Sequence, residues 1–266
     1  IAAAAVAALR EELATYPKPG LVSYVDSGSH ADMTHAHFSA AIEVLSDYFH
    51  AMSAAGMRFA AMTELRTLGL AAELRMLKAT GGINTHRGAI FSLGLLSAAA
   101  GHRIATGATE SLGEIVRNCW GSDIMAGCNP GSHGDDVNRR YGSGGARAEA
   151  AAGFPAVYHC GLPALRSALD RGEARNRARV HSFFSMLETV EDTTLLYRGG
   201  RFGYDFAVRC AGKFNRRGGT AGTDWGALAV EIHHEFMERR LSCGGVADLL
   251  AATIFIHYLE DSSWRD

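Results

Sequence analysis

The chain lacks the features that mark a disulfide-stabilised protein, a zinc-cluster protein or a nucleic-acid-binding protein. Its five cysteines are odd in number and scattered, and no Cys-x-x-Cys pair occurs. This pattern favours reduced thiols in a cytoplasm and leaves oxygen and nitrogen as the ligands for any metal. A formal net charge of −2 gives no reason to expect nucleic acid or an anionic membrane as a partner. We therefore expect small-molecule partners.

Long apolar runs and alternating strands are also missing. No run approaches the length of a membrane span, and the apolar opening 1–9 has no basic leader, so it is typical of an alanine-rich helix. Without strand patterns a parallel nucleotide-binding sheet is not expected. A chain of 266 residues that is 47% hydrophobic can bury a large core. We predict a single all-α domain over residues 1–266.

Apolar residues recur at helical spacing through most of the chain. One predicted face begins at Phe38 and continues to Met52, and another begins at Phe183. Further helices are predicted over 62–77, 88–100, 112–120, 162–169, 225–238 and 246–259. Glycine-rich polar segments, which we predict to be ligand-binding loops, cover 17–32, 80–88, 121–145, 199–226 and 242–245.

The segment 80–91, Thr-Gly-Gly-Ile-Asn-Thr-His-Arg-Gly-Ala-Ile-Phe, joins a flexible loop to a predicted helix start. Helix N-termini attract anions, so we predict that this segment binds phosphate. The residues assigned to that role are Gly81, Gly82, Asn84, Thr85 and Arg87, of which Asn84 and Thr85 can also cap the helix. His86 is the first candidate for acid–base chemistry because imidazole titrates near neutral pH; the alternative is that it binds a phosphate or organises the loop.

Three other places carry polar residues of interest. Lys18 lies between two prolines in a stiff turn that could equally be a helix stop, and His30 and Asp32 follow it closely; Asp32 could instead cap the next helix. Glu73 precedes the 80–91 segment and could point into the same cavity, although an exposed helical glutamate is the default. Asp192 occupies an acidic turn beside threonines, where carboxylates suit magnesium or a helix cap.

The C-terminal segment 242–251 has the pattern of an N-capped helix start. Ser242 precedes Gly244 and Gly245, and Asp248 lies in the first turn. We predict that Ser242 and the two glycines bind an anion there.

Six segments, in this order along the chain, carry a resemblance to a known family. They are 17–22, 28–33, 80–91, 141–155, 192–196 and 242–251. Together they resemble triphosphoribosyl-dephospho-coenzyme A synthase, and the similarity extends over nearly the whole chain.

The resemblance implies a glycosyl transfer from ATP to the ribose 2′-hydroxyl of 3′-dephospho-coenzyme A, with release of adenine. The product would be the precursor of the prosthetic group of citrate lyase or malonate decarboxylase, and a separate transferase would pass it to the acyl carrier protein. The segment 159–163, His-Cys-Gly-Leu-Pro, favours malonate decarboxylase. Inversion from ATP, a β-nucleoside, to the α linkage of the family's product implies a single displacement.

Under this resemblance Mg²⁺ on the triphosphate would be held by Glu73, Asp192 and Asp248, while Lys18 and Arg87 neutralise the remaining charge. His86, Glu73, His30 and Asp32 are the catalytic candidates. Two other classes stay open: a magnesium-dependent hydrolase of nucleotide or ADP-ribosyl N-glycosidic bonds, and a non-catalytic helical partner protein. An apolar pattern does not separate an oligomer interface from core, so a homo-oligomer is compatible with the sequence.

Overall fold

The computed structural model describes residues 1–127 and 133–260, which form thirteen α-helices and no strand. The predicted all-α fold is therefore confirmed. In chain order the helices are α1 Ala2–Ala14, α2 His35–Glu43, α3 Ser46–Met57, α4 Met62–Ala79, α5 Arg87–Thr106, α6 Leu112–Ala126, α7 His133–Tyr141, α8 Gly145–Ala151, α9 Leu162–Asp170, α10 Arg175–Leu187, α11 Thr193–Arg216, α12 Trp225–Glu238 and α13 Gly244–Glu260.

Helix α5 is the centre of the core and packs against α3, α13 and α6. Its closest neighbour is α3, because glycines at the contact let the two backbones approach. A Cβ on Gly56 would lie 1.9 Å from the carbonyl oxygen of Ala98, and one on Gly101 would lie 2.0 Å from that of Ser53. Any larger side chain at either glycine would force the two helices apart.

The expectation that no segment is long and apolar enough to span a membrane is wrong for α5. Among the described residues this helix alone has the required length and hydropathy, but 67% of its apolar window is buried inside the protein. It is apolar all round because it is surrounded by other helices, which is the pattern of a central core helix.

Most predicted helices are present, with later ends than the sequence indicated for α5 and α6. The face from Phe38 to Met52 belongs to two helices. The chain turns between them, where the amides of Val44 and Leu45 donate hydrogen bonds to the carbonyls three residues earlier, those of Ala41 and Ile42. The predicted apolar face continues across this turn, but it is formed by two helices and not by one.

Two of the predicted glycine-rich loops are largely helical. Helix α11 runs through most of 199–226 and departs from helical geometry at Gly200, where φ is 58° and ψ is −161°. Gly199 and Gly203 serve close packing: a Cβ on either would lie within 2.8 Å of Leu241 Cδ2. In the segment 121–145, α6 continues to Ala126 and α7 occupies the later part. Glycine at a helix contact is thus easily mistaken for glycine in a loop.

Four cysteines lie in the described part of the chain, and all are free thiols. Cys210 and Cys243 are buried, and burial raises the pKa of both thiols. The fifth, Cys128, lies outside the described residues. The two buried thiols behave as small core residues, in keeping with a fold that its helix packing stabilises.

Candidate active site

A cavity of about 1320 Å³ lies where the N-termini of α5, α11 and α13 meet, with α4 as one wall. Typical small-ligand pockets measure roughly 300–1000 Å³, so this one has room for more than one nucleotide-sized ligand. Most predicted site residues line it: His30, Asp32, Glu73, Gly82, Asn84, Thr85, His86, Arg87, Asp192, Ser242, Gly244, Gly245 and Asp248. Of the predicted set, Lys18 and Gly81 do not.

The two glycines of the 80–91 segment end α4 and do not form an open anion cradle. Gly81 and Gly82 have positive φ, and the amide of Gly82 donates to the carbonyl of Leu77 at 2.7 Å. This six-to-one bond is the Schellman arrangement at a helix C-terminus. The Gly82 amide, which was predicted to bind phosphate, is therefore used in a capping bond at the C-terminus of α4.

His86 lies at the N-terminal end of α5 and is almost completely buried. Its Nδ1 is 2.9 Å from Thr85 Oγ1, and Phe38 packs edge-on against the ring. Its Nε2 is buried and has no hydrogen-bond partner among the described residues. Burial, with a smaller contribution from Lys18, lowers the pKa of His86 to about 3. The expectation that it titrates near neutral pH is wrong: the ring is neutral and offers one unsatisfied nitrogen in the cavity wall.

Arg87 and Glu73 form an ion pair at the cavity rim, with Nε 2.9 Å from Oε2. Both side chains are partly exposed, at 44% and 23%. The structure thus brings Glu73 to the segment that the sequence analysis paired it with. Asn84 Oδ1 accepts a bond from the amide of Arg87, the first residue of α5, at 3.1 Å, although the N-cap position itself is occupied by His86.

Asp192 holds two helix starts together. Its Oδ1 accepts bonds from the amides of Thr194 and Leu195 at the start of α11, at 2.8 and 2.9 Å. Its Oδ2 accepts a bond from the amide of Val246 at the start of α13, at 2.8 Å. Both oxygens are therefore used inside the protein, and the cap interpretation describes Asp192 better than the metal-ligand one.

The double glycine before α13 permits this arrangement. A Cβ on Gly245 would lie 3.0 Å from Asp192 Oδ2, and one on Gly244 would lie 3.2 Å from Thr194 Oγ1. The anion that this helix start binds is thus the carboxylate of Asp192, where a phosphate was predicted.

Asp248 lies on the cavity floor against the start of α5. A Cβ on Gly88 would lie 1.9 Å from its Oδ2, so only glycine fits there, and the amide of Ala89 donates to the carboxylate. Protein surrounds the group closely, yet it keeps partial access to solvent through the cavity. Burial raises the pKa of Asp248 well above its usual range, and the nearby carboxylates of Glu12 and Asp192 raise it further.

Lys18 is 1% exposed and forms an ion pair with Glu12. Its ammonium group also donates to the carbonyl of Glu12 at 2.6 Å. The predicted direct contact between Lys18 and a triphosphate is corrected on this ground, because the charge is turned into the protein. Glu12 also lines the cavity, and the sequence analysis did not identify it as a site residue. The available signal was its spacing from Ala8 and Leu9, which places this glutamate on the buried face of α1.

His30 and Asp32 line the cavity beside α11, where His30 contacts Arg198. His30 Nδ1 accepts from Arg198 at 3.2 Å, and since a guanidinium only donates, Nε2 carries the proton and donates to Ser242 Oγ at 3.0 Å. Burial and Arg198 lower the pKa of His30 to about 4. Asp32 is 63% exposed and 3.8 Å from His30, and Thr34 caps α2, so Asp32 is neither the cap nor a buried base.

The predicted magnesium triad is not assembled. Among the side chains of 1–127 and 136–260, no group of three or more His, Cys, Asp or Glu is arranged to hold a metal ion. Both oxygens of Asp192 accept backbone bonds and the residue is only 1% exposed, whereas Glu73 keeps one carboxylate oxygen outside its ion pair. The donor chemistry fits an ion that retains most of its contacts to water and substrate phosphates, as Mg²⁺ commonly does.

Comparison with known proteins agrees with an all-helical nucleotide-using transferase. The family model described as ATP:dephospho-CoA triphosphoribosyl transferase matches residues 1–266. A protein from Klebsiella pneumoniae named 2-(5''-triphosphoribosyl)-3'-dephosphocoenzyme-A synthase is 36% identical, with 94% of this chain and 87% of the relative covered. A relative from Azotobacter vinelandii, named a probable synthase of the same kind, is 38% identical over 96% of this chain and 90% of its own length. No solved structure matches.

The chain is therefore a transferase. It belongs to the ATP:dephospho-CoA triphosphoribosyl transferase family, as the resemblance of its six segments predicted.

Proposed function

We propose that the protein transfers the 5-triphosphoribosyl group of ATP to the 2′-hydroxyl of 3′-dephospho-coenzyme A and releases adenine. The observation that carries this proposal is one cavity of about 1320 Å³ with cationic side chains at its rim and a buried carboxyl group on its floor. Such an arrangement suits two polyanionic substrates whose sugar carbons meet at depth.

The proposed step is a single displacement. The 2′-oxygen of the acceptor forms a bond to the anomeric carbon of ATP as the bond from that carbon to adenine breaks, and the configuration inverts. The hydroxyl proton passes to a base, and adenine leaves with the bonding electrons and takes up a proton. No covalent enzyme intermediate is needed.

Asp248 is the base that the geometry supports best. Its raised pKa makes its carboxylate a stronger proton acceptor than an exposed one, and it is open to the cavity. We assign Asp248 this role in place of the predicted metal ligation.

His86 is proposed to hold a reacting group by hydrogen bond. Its neutral ring presents an unsatisfied Nε2, which can bond the acceptor hydroxyl or a nitrogen of the departing adenine, depending on the tautomer. This keeps the catalytic assignment of His86 while removing the requirement that it change charge.

Arg87 and Arg198 are the cations proposed to bind the triphosphate. Both line the cavity and are exposed, and each is already oriented by a partner: Glu73 for Arg87, and the carbonyls of Ser29 and Arg240 for Arg198. Mg²⁺ arriving with ATP would be held by phosphate oxygens and Glu73, and it would neutralise phosphate charge. Lys18 contributes indirectly by fixing Glu12.

We further propose that the product serves malonate decarboxylase, with citrate lyase as the alternative, and that a separate transferase loads it on the carrier protein. The segment 159–163 supports the first assignment only by its resemblance. Free buried thiols are compatible with a cytoplasmic location.

The decisive experiment is to incubate the protein with ATP, magnesium and 3′-dephospho-coenzyme A, and to follow adenine and the adduct by chromatography with mass detection. Adenine that appears only with the acceptor, together with the adduct mass, is the expected result. Adenine released without acceptor would indicate the N-glycoside hydrolase, and no turnover at all would contradict the proposed reaction.

A further inference from the structure

The cavity extends well beyond the residues assigned to the reaction, along one face of α4. The side chains on this face recur at helical spacing: Met62, Leu65, Arg66, Gly69, Leu70 and Glu73. From Met62 to Glu73 the helix rises about 16 Å. Glu73 lies at the reacting end, beside Arg87, so the other end of this face lies far from the site of transfer.

Two arginines converge on Gly127 part of the way along this face. Arg147 on α8 donates from Nη1 to the carbonyl of Gly127, and a Cβ built on Gly127 would lie 3.6 Å from Arg66 Nη1. Both arginines line the cavity, as does Asp123. A dianionic group that reaches both guanidinium groups would form charge-assisted hydrogen bonds with each of them.

A third polar group faces the cavity from the turn just before the helix that carries Arg147. Ser143 lies in the turn that leads into α8, lines the cavity and is 1% exposed. Its hydroxyl has no hydrogen-bond partner within the described ranges. A buried hydroxyl of this kind is costly unless a ligand completes its hydrogen bonding.

The wall next to these arginines is apolar. Met62 and Leu65 on α4 face the cavity together with Ile124 on α6, and the last two are almost fully buried. A ligand that occupies this end must therefore combine a phosphate group with an aliphatic chain.

We propose that this α4–α6–α8 lobe is the acceptor subsite: Arg66, Arg147 and Ser143 bind the diphosphate of 3′-dephospho-coenzyme A, and Met62, Leu65 and Ile124 contact its pantetheine arm. The inference rests on the proposed function. It assigns the lobe to the acceptor because ATP carries three phosphates but no aliphatic extension.

The test uses 4′-phosphopantetheine, which contains the arm and one phosphate but no nucleoside. Its binding is measured by calorimetry, and its inhibition is measured against each substrate. We expect competition with dephospho-coenzyme A and none with ATP. Arg147→Met should weaken binding of 4′-phosphopantetheine about tenfold or more, as for loss of a charge-assisted hydrogen bond, and Met62→Glu should weaken it similarly by placing charge in the apolar wall.

Matched controls separate this effect from a general loss of structure. Thr63→Glu places the same charge on the neighbouring exposed residue of α4, and Arg75→Met removes an exposed cation from the same helix; neither residue lines the cavity. Both should bind 4′-phosphopantetheine like the wild type.

Competition with ATP, or equal binding by Met62→Glu and Thr63→Glu, would overturn the acceptor subsite while leaving the transferase intact. Absence of acceptor-dependent adenine from the wild-type protein would instead contradict the proposed function. The calorimetric binding of 4′-phosphopantetheine is measured without turnover, so the two failures are distinguishable.

Discussion

Asp248 combines a raised pKa with access to the cavity, and this combination leads to a prediction about catalysis. Asp248→Asn keeps the shape and the acceptor oxygen for Ala89 but removes the base, so the rate of adduct formation should fall about 10²–10⁴-fold. The affinity for ATP, measured by calorimetry, should change little. A variant that retains more than a tenth of wild-type kcat would contradict the assignment of Asp248 as base.

Asp248→Asn should lower the rate but should maintain or raise the stability of the fold. A carboxyl group whose pKa is higher in the folded state binds its proton more tightly there. Stability therefore declines as pH rises from the pKa of the unfolded state to the higher pKa of the folded state. Asp248→Asn removes this cost. Urea unfolding at pH 8 should therefore show an equally or more stable variant, which distinguishes lost chemistry from lost folding.

His86 gives a pH-dependence prediction with a definite sign. Its pKa is about 3 in the folded protein and near 6.5 when unfolded, so the unfolded state takes up a proton that the folded state cannot. Its contribution to stability is present above pH 6.5 and is lost as pH falls, at up to about 1.4 kcal/mol per pH unit. His86→Asn should flatten that part of the stability curve relative to wild type between about pH 6 and 4.

The activity of His86→Asn tests its role separately. If ATP still binds while transfer is abolished, His86 acts on the reacting groups. Full activity in this variant would remove His86 from the mechanism. Because the ring stays neutral at physiological pH, the wild-type pH–rate profile should show no inflection due to His86 near pH 6.5.

At the residue scale, the sequence indicated which side chains meet but not their protonation or pairing. His86, Glu73 and Asp248 line one cavity, as their segments indicated. The low pKa of His86 could not be read from the sequence, because it depends on burial by residues distant in the chain. Lys18 was assigned to the triphosphate under the family resemblance; its partner Glu12 could be recognised only from the packing of α1.

Asp192 acts at the scale of elements, since one carboxylate caps α11 and α13 together. Asp192→Ala removes both caps, and at about 0.5–2 kcal/mol for each cap it should lower the free energy of unfolding by about 1–4 kcal/mol. Ser111→Ala is the control, because Ser111 caps α6 alone, away from the cavity. It should lose about half as much, by urea denaturation of both variants.

A metal role for Asp192 makes a different prediction. Asp192→Ala should lower the free energy of unfolding equally with EDTA and with excess magnesium, because the bonds that it removes are to backbone amides. If wild type and variant have the same free energy of unfolding once metal is chelated, the cap interpretation is wrong.

The elements show why glycine patterns misled while apolar patterns did not. Period-3.6 spacing reflects burial directly, and it located the boundaries of α12 correctly. A glycine, in contrast, is used both to end a helix, as at Gly81, and to let another part of the chain pack closely against a helix, as at Gly56 and Gly203. These uses differ only in what lies opposite the missing Cβ, which is a tertiary fact.

At the scale of the whole molecule, the three helix starts and α4 enclose a single cavity that is large enough for both substrates. Direct displacement requires ATP and the acceptor to be bound together, with no intermediate left on the protein. Initial rates measured over a grid of both substrates should therefore give intersecting double-reciprocal lines. Parallel lines would indicate a covalent triphosphoribosyl-enzyme and would contradict the single displacement.

A cavity that holds both substrates should also be stabilised by both. A ligand that binds only the native state raises the free energy of unfolding, by about 2.7 kcal/mol at a hundred times its Kd, and the apparent melting temperature rises with the ligand concentration. ATP and 4′-phosphopantetheine, which cannot react with each other, should raise it together by more than either alone, because they occupy different ends of one cavity. If saturating ATP cancels the effect of 4′-phosphopantetheine, the two ligands share one subsite and the cavity does not hold both substrates side by side.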